Sequence, residues 1–387
     1  MTGALEGLKI LDFTQMMTGP MGTMILGDFG ADVIKVEQPA GDPFRKSGET
    51  SLGGDSVFFL SVNRNKRGIA LDLKSEAGRK AARELADQAD VFVENFRPGF
   101  SEAAGLGYEE LRKTNPGLIY CSITGFGQTG PDANRPALDQ VIQAMSGMMQ
   151  ITGTPETGPL KTGFPFADLV TALISTIGIL AALEARHRTG LGQRIDLAML
   201  DATIFSMVPR DVFYSVTKSS PPLTGNQHWD IVPNDTYKTA DGREIMIITI
   251  NDKFWRILVE AMGAPALAAD PRYATKQARL ANRGAVDAEL RALFASKTMA
   301  EWDRLLGAAG AIYGPVKTWP EVFEAPATRD ALIRTVSHPT AGDYDVVQNP
   351  VQLSQTPHSI RRPPPTFGQH NAEILREGAA VWAVSDQ

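Results

Sequence analysis

The sequence predicts an α/β protein, with a large parallel-sheet domain and a smaller α+β section. Three observations point there. Over the first 130 residues, short β-branched runs alternate with amphipathic stretches, as in successive βαβ units. From about residue 226 the pattern changes to a hairpin followed by helices. The length, 387 residues, also exceeds what one hydrophobic core usually supports. Strands are expected at 8–13, 32–36, 69–73, 91–95 and 118–124, each ending where polar or Gly residues begin. Ser75 precedes EAGRKAAREL, an N-cap followed by an acid in the first turn and apolar residues at helical spacing. The run SSPPLTGN at 219–226 reads as a linker. Beyond it, 236–239 and 243–250 flank the turn Asp241-Gly242 as a hairpin, 252–262 and 286–309 are helix-patterned, and 333–353 reads as strands. RRPPP at 361–365 is a basic, proline-rich connector, and the chain carries no internal repeat.

Several functions are disfavoured by composition. A net charge of -6 without a basic block lacks the footprint of nucleic-acid binding. One cysteine, Cys121, forbids an internal disulfide and a cysteine-based zinc site, which fits a reducing cytoplasm. Residues 1–7 lack a secretory pattern, so a cytoplasmic location is expected. The apolar run 169–183 is interrupted by Thr171, Ser175, Thr176 and Gly178 and falls short of the roughly 20 residues that span a bilayer. It is expected to be a buried core helix rather than a membrane anchor.

Motifs narrow the field further. Glu37 at the end of the second strand invites a dinucleotide reading, but the first turn, QMMTGPMG at 15–22, lacks G-x-G-x-x-G, and Pro20 removes an N–H. No Walker A sequence or G-x-S-x-G elbow occurs, and the five histidines at 187, 228, 338, 358 and 370 form no metal motif. No metal is therefore expected. The strongest local feature is GFPFADLV at 163–170, which places Asp168 at the entrance of an apolar helix. Read locally, such an aspartate is a helix cap. The same position would also suit a carboxylate nucleophile, with nearby N–H groups as oxyanion donors.

The surrounding text resembles the family III CoA-transferases, the formyl-CoA:oxalate and carnitine CoA-transferase group. The resemblance runs through LKILDFT (8–14), GADVIKVE (30–37), NRNKR (63–67), LDLK (71–74), DVFVENFRPG (90–99), SITGFGQTGP (122–131), Arg135-Pro136, ILAALEARHRTGLGQ (179–193) and DLAMLD (196–201). It implies a Rossmann-like large domain built from both chain ends, an inserted small domain, and an interlocked homodimer. The implied boundaries are 1–200 for the first part of the large domain, 201–230 for a linker, 231–325 for the small α+β domain, and 326–387 for the return. It also implies that Asp168 is the nucleophile, passing through an aspartyl-acyl anhydride and an aspartyl-CoA thioester. Coenzyme A and a small carboxylic acid would be substrates, with no permanently bound cofactor.

CoA contacts implied by the same resemblance are Met16, Gln38, Leu71, Lys74, Asn95, Phe96, Arg97, Arg135 and Asp139. Lys74, Arg97 and Arg135 are cations of the kind that CoA phosphates require. Three positions depart from the family, and a fourth separates the chain from a rival. Met17 replaces a glutamine of the oxalate enzymes, and Gln38 and Ala103 stand where many members have arginines. Leu138 occupies the place of the histidine in α-methylacyl-CoA racemases, which share this fold, so the second base for proton exchange is missing. Residues 225–235 also lack the glycine-rich loop of the formyl-CoA enzymes. A racemase-like enzyme and a non-catalytic CoA-binding protein are the alternatives. Small dicarboxylates exchanged through succinyl-CoA are the expected substrates. Arg210, His228 and Trp229, near the linker, are candidates for the distal carboxylate, against an ordinary surface or packing role.

Overall fold

A computed structural model describes residues 3–377 and Trp382. The chain divides into one unit made of Met1–Met148, Lys161–Asp211 and Pro326–Gln387, and a second made of Met149–Leu160 and Val212–Ala325.

The first unit is built on six strands: β1 (Lys9–Asp12), β2 (Asp32–Glu37), β3 (Lys66–Ala70), β4 (Val91–Glu94), β5 (Ile119–Thr124) and β6 (Arg194–Ala198). All pair in parallel, in the order β3-β2-β1-β4-β5-β6. This is the dinucleotide-fold order, whose crevice opens between β1 and β4, where the winding reverses. Alternate side chains fill the two faces. Leu11, Ile34, Phe92 and Tyr120 pack on one side with Ala82 and Leu85 of α2 (Glu76–Ala86). Ile10, Val33, Val91 and Cys121 pack on the other with Leu26 of α1 (Thr18–Asp28). Burial on both faces is why these strands read as continuous apolar runs.

Two strand expectations shift. The third strand lies at Lys66–Ala70 rather than 69–73, because its charges are buried in pairs that no hydropathy pattern shows. Lys66 meets Asp12 at 2.9 Å, and Arg67 meets Asp32 at 2.6 Å. β6 was not anticipated. It is an edge strand whose alternating polar residues, Arg194 and Asp196, are not fully covered. The C-terminal segment returns to the outer edge of β3: the Gly68 N–H donates to His370 Nδ1, and the Ala70 N–H to Asn371 Oδ1.

Ser75 does cap α2, its hydroxyl accepting from the Gly78 N–H. The remaining helices that shape the crevice are α3 (Asp139–Met145), α4 (Phe166–Thr189) and α5 (Met199–Phe205). α4 is the one helix among the described residues long and apolar enough to cross a membrane. Its expected burial holds on one face only. Thr171, Ala172, Ser175 and Thr176 are buried, whereas Leu173, Ile177 and Leu180 are exposed.

In the second unit β7 (Asn234–Lys238) and β8 (Glu244–Ile248) form the expected hairpin, joined by β9 (Tyr313–Pro315). The single helical stretch expected at 286–309 is two helices, Arg283–Phe294 and Met299–Ala309, separated by a break that ends in a Thr298–Glu301 capping box. The stretch 201–230, expected as a linker, holds the end of α5 and the helix Arg210–Thr217. Residues 149–160 group with this unit, although sequence placed them in the large domain. Strand structure in 333–353 is confined to the hairpin Ile333–His338 and Gly342–Val347.

Candidate active site

Small residues bring α1 and α4 together. A Cβ on Gly22 would lie 2.8 Å from Ser175 Oγ and 3.3 Å from the Ala172 carbonyl oxygen, so a larger residue there would have to displace Ser175 or push the two helices apart. One turn before Gly22 is Thr18, and its hydroxyl donates to Asp168 Oδ1 at the start of α4.

Asp168 is not the cap of α4. It is the third residue of the helix, and the capping acceptor comes from α3. Asp139 Oδ1 accepts the Ala167 N–H at 2.7 Å and the Asp168 N–H at 3.2 Å, while its Oδ2 accepts Gln143 Nε2 at 2.6 Å. Asp139, expected as a CoA contact, is a buried carboxylate engaged by groups inside the protein and lines neither cavity of the site. Burial lifts the Asp168 carboxyl to about 6. The Thr18 hydroxyl opposes that rise, and the nearby Asp139 charge reinforces it. At neutral pH Asp168 is therefore mostly ionised and more basic than an ordinary aspartate.

The loop preceding α1 is pinned at three successive residues. Lys35 Nζ donates to the Thr14 carbonyl oxygen at 2.8 Å. Asn95 exchanges two hydrogen bonds with the Gln15 backbone, at 3.0 and 2.9 Å. Asp42 Oδ1 accepts the Met16 N–H at 3.1 Å, and its other oxygen pairs with Lys35 at 2.8 Å. Met16 is held at φ 67°, a left-handed conformation uncommon for a side chain of its size. The segment after β4 is fastened from below: Glu94 Oε2 accepts the Phe96 N–H at 2.7 Å, and its other oxygen accepts the Ser122 hydroxyl. Burial raises the Glu94 carboxyl to about 7, with those hydrogen bonds opposing.

Two cavities open over the carboxyl ends of β1 and β4. The first, about 360 Å³, holds Asp168 with Thr18, Met16, Arg135 and Leu138. The second, about 710 Å³, is lined by Gln38, Leu71, Lys74 and Phe100. Gln15, Asn95, Phe96 and Arg97 line both, so the two are sections of one groove. Lys74 and Arg97 are exposed and make no ion pair among the described residues. Rings of Tyr120, Phe92, Phe13, Phe96 and Phe100 run in sequence from the core to the groove, with centroids 4.6–6.2 Å apart. Arg135 is half exposed, 3.8 Å from Asp132.

Thus the structure brings together Asp168, Met16, Gln38, Leu71, Lys74, Asn95, Phe96, Arg97 and Arg135 along one groove. Asn95 does so as a fastener of the Gln15 backbone. Thr18, Gln15 and Phe100 were not picked out from the sequence. Only the Gly-rich spacing around Thr18, and the aromatic that follows the RPG turn, signalled them. Arg210 lines neither cavity, and His228 and Trp229 belong to the second unit. No histidine lines the Asp168 cavity, and among the described residues no three His, Cys, Asp or Glu side chains converge as a metal site.

Residues 5–371 match the model of CoA-transferase family III. The chain belongs to that family. It is 40% identical to the mouse succinyl-CoA:glutarate CoA-transferase, over 96% of this chain and 86% of that protein. It is 38% identical to the acetyl-CoA:oxalate CoA-transferase of Acetobacter aceti, over 98% and 97% of the two chains. A crystal structure of a CAIB/BAIF family protein from Brucella suis superposes with a TM-score of 0.88 at 37% identity, over 97% of this chain and 100% of that one. As a family III member the chain is a CoA-transferase, moving CoA between an acyl-CoA and an acid.

Proposed function

We propose that this transferase moves CoA from succinyl-CoA to a small dicarboxylic acid, with Asp168 as the nucleophile. The observation that carries the reading is a partly buried, basic carboxylate at the inner end of a groove into which the cations Lys74, Arg97 and Arg135 open, with no histidine lining its cavity. The ADP end of CoA would lie in the larger cavity against Leu71, Phe100 and Lys74. The pantetheine arm would pass Asn95, Phe96 and Arg97, and the thioester would reach Asp168. Attack by Asp168 on the thioester carbonyl expels CoA thiolate and leaves an aspartyl-acyl anhydride. The thiolate then attacks the aspartyl carbonyl, releasing the donor acid and forming an aspartyl-CoA thioester. The acceptor acid reverses both steps, and the thioester's free energy is kept because both intermediates are activated acyl groups. Both relatives named above act, by their names, on dicarboxylic acids, glutarate or oxalate, which supports that acceptor class.

The subunit arrangement belongs to the same proposal. Ile177 (64% exposed) on α4 and Phe205 (73%) on α5 are large apolar side chains of the kind that a second copy of the chain would cover in an interlocked homodimer.

Incubation with succinyl-CoA followed by hydroxylamine or borohydride trapping tests the chemistry. The expected result is a hydroxamate or reduced residue at Asp168 by peptide mass spectrometry, absent in Asp168→Ala. Labelling elsewhere, or none with any acyl-CoA, would sink the nucleophile assignment.

A further inference from the structure

We infer that the Thr18 hydroxyl is an oxyanion donor for the tetrahedral steps at the Asp168 carboxyl carbon. The inference rests on Asp168 being the nucleophile and identifies the group that stabilises its charge. It begins from an elimination. An aspartate in the first turn of a helix would ordinarily draw on the helix N–H groups for that purpose. In α4 they are committed elsewhere. The Phe166 N–H donates to the Phe164 carbonyl oxygen, the Ala167 and Asp168 N–H groups to Asp139 Oδ1, and the Leu169 N–H to the Pro165 carbonyl oxygen. This replaces the sequence expectation that those N–H groups serve the carboxylate.

What touches the carboxylate is Thr18, whose hydroxyl donates to Oδ1. Thr18 is almost fully buried and lines the same cavity as Asp168. Its position is over-determined: the preceding loop is pinned at Thr14, Gln15 and Met16, and one turn later the Gly22–Ser175 approach locks α1 on α4. A donor held this firmly needs little reorganisation when charge develops, which is the condition for strong electrostatic stabilisation.

With Oδ1 engaged, Oδ2 is the oxygen that attacks the thioester and becomes the bridge of the anhydride. When CoA thiolate then adds to the aspartyl carbon, a C–S bond forms and the carbonyl π pair moves onto Oδ1. The Thr18 hydroxyl faces that oxygen. Collapse returns the pair, breaks the bond to the bridging oxygen, and releases the donor acid as its carboxylate, with no proton changing hands. The same charge forms on Oδ1 when the acceptor carboxylate attacks the aspartyl-CoA thioester and thiolate leaves.

The test follows the Asp168 adduct by rapid-quench mass spectrometry with succinyl-CoA in wild type, Thr18→Val and Thr18→Ser. Loss of one oxyanion donor costs roughly 10²-fold or more in rate. Thr18→Val is therefore expected to slow aspartyl-CoA formation and kcat by about that factor, with the KM for succinyl-CoA nearly unchanged, and Thr18→Ser is expected to recover most of the rate. Wild-type adduct kinetics in Thr18→Val, or equal losses in the valine and serine variants, would overturn the assignment. No adduct on Asp168 in the wild-type protein would overturn the nucleophile reading as well, and so separates the two failures.

Discussion

At the scale of single residues, the proposed nucleophile Asp168 is held at a cost in stability. Burial raises its pKa from 3.8 to about 6, so the folded protein holds the proton more tightly than the unfolded chain does. The sign follows: between those values the native state binds more protons, and stability falls as pH rises through that window. Asp168→Asn removes the charge while keeping an oxygen for Thr18. We expect it to abolish transfer and to stabilise the protein by roughly 1–2 kcal/mol above pH 7, allowing for solvent screening. Below pH 4 that gain should vanish. Urea denaturation at pH 4 and pH 7.5 checks this, and an equal gain at both pH values would assign the effect to packing instead. The same titration predicts that wild-type kcat/KM falls on the acid side with a midpoint near 6. An acid limb near pH 4 would contradict the raised value. Asp168 itself was legible as a candidate, because its flanking sequence is continuous and carries the family resemblance. Its hydrogen-bond partners were not: Thr18 lies 150 residues away and Asp139 lies 29 away.

At the scale of elements, the site depends on how closely α1 and α4 approach. Gly22→Ala would drive a methyl group into Ser175 Oγ and the Ala172 carbonyl. Overpacking of this kind costs about 1–3 kcal/mol, and the shift of α1 would lengthen the Thr18–Asp168 contact. We predict a lower melting temperature and a loss of kcat larger than any change in the KM for acyl-CoA, with Ser175→Ala in the same chain restoring part of both. Unchanged kcat in Gly22→Ala would show that the helix separation does not set the site. Strand placement shows why local reading misses such features. Runs apolar on both faces, such as Val91–Glu94, were found to within a residue. Lys66–Ala70 was displaced because Lys66 and Arg67 are buried against Asp12 and Asp32, partners on other strands. Asp139 likewise read as a ligand contact because nothing local reveals that it caps a helix from a neighbouring one.

At the scale of the whole molecule, the unsolved surface is the apolar one. Ile177 and Phe205, with Leu173 and Val208, are large apolar side chains left exposed on the single chain, and they are the surface on which the proposed homodimer rests. The proposed homodimer predicts sedimentation at twice the chain mass at micromolar concentration. Ile177→Glu and Phe205→Glu should shift it toward monomer or reduce soluble yield. A monodisperse wild-type monomer would refute the proposal.

The sequence by itself determined the α/β class and, to within a residue, the strands β1, β2, β4 and β5, while the groove positions and the proposed nucleophile Asp168 were legible through the motifs that carry the family resemblance. Each of these is written in contiguous residues, through apolar periodicity or an unbroken motif. Tertiary structure alone decided that Asp139 caps α4, that Thr18 meets Asp168, that Asn95 fastens the Gln15 backbone, and that a glycine in α1 sets the distance between them. Those are relations between side chains and backbone groups distant in the chain, joined only when the sheet order places β1 beside β4 and packs α1 against α4.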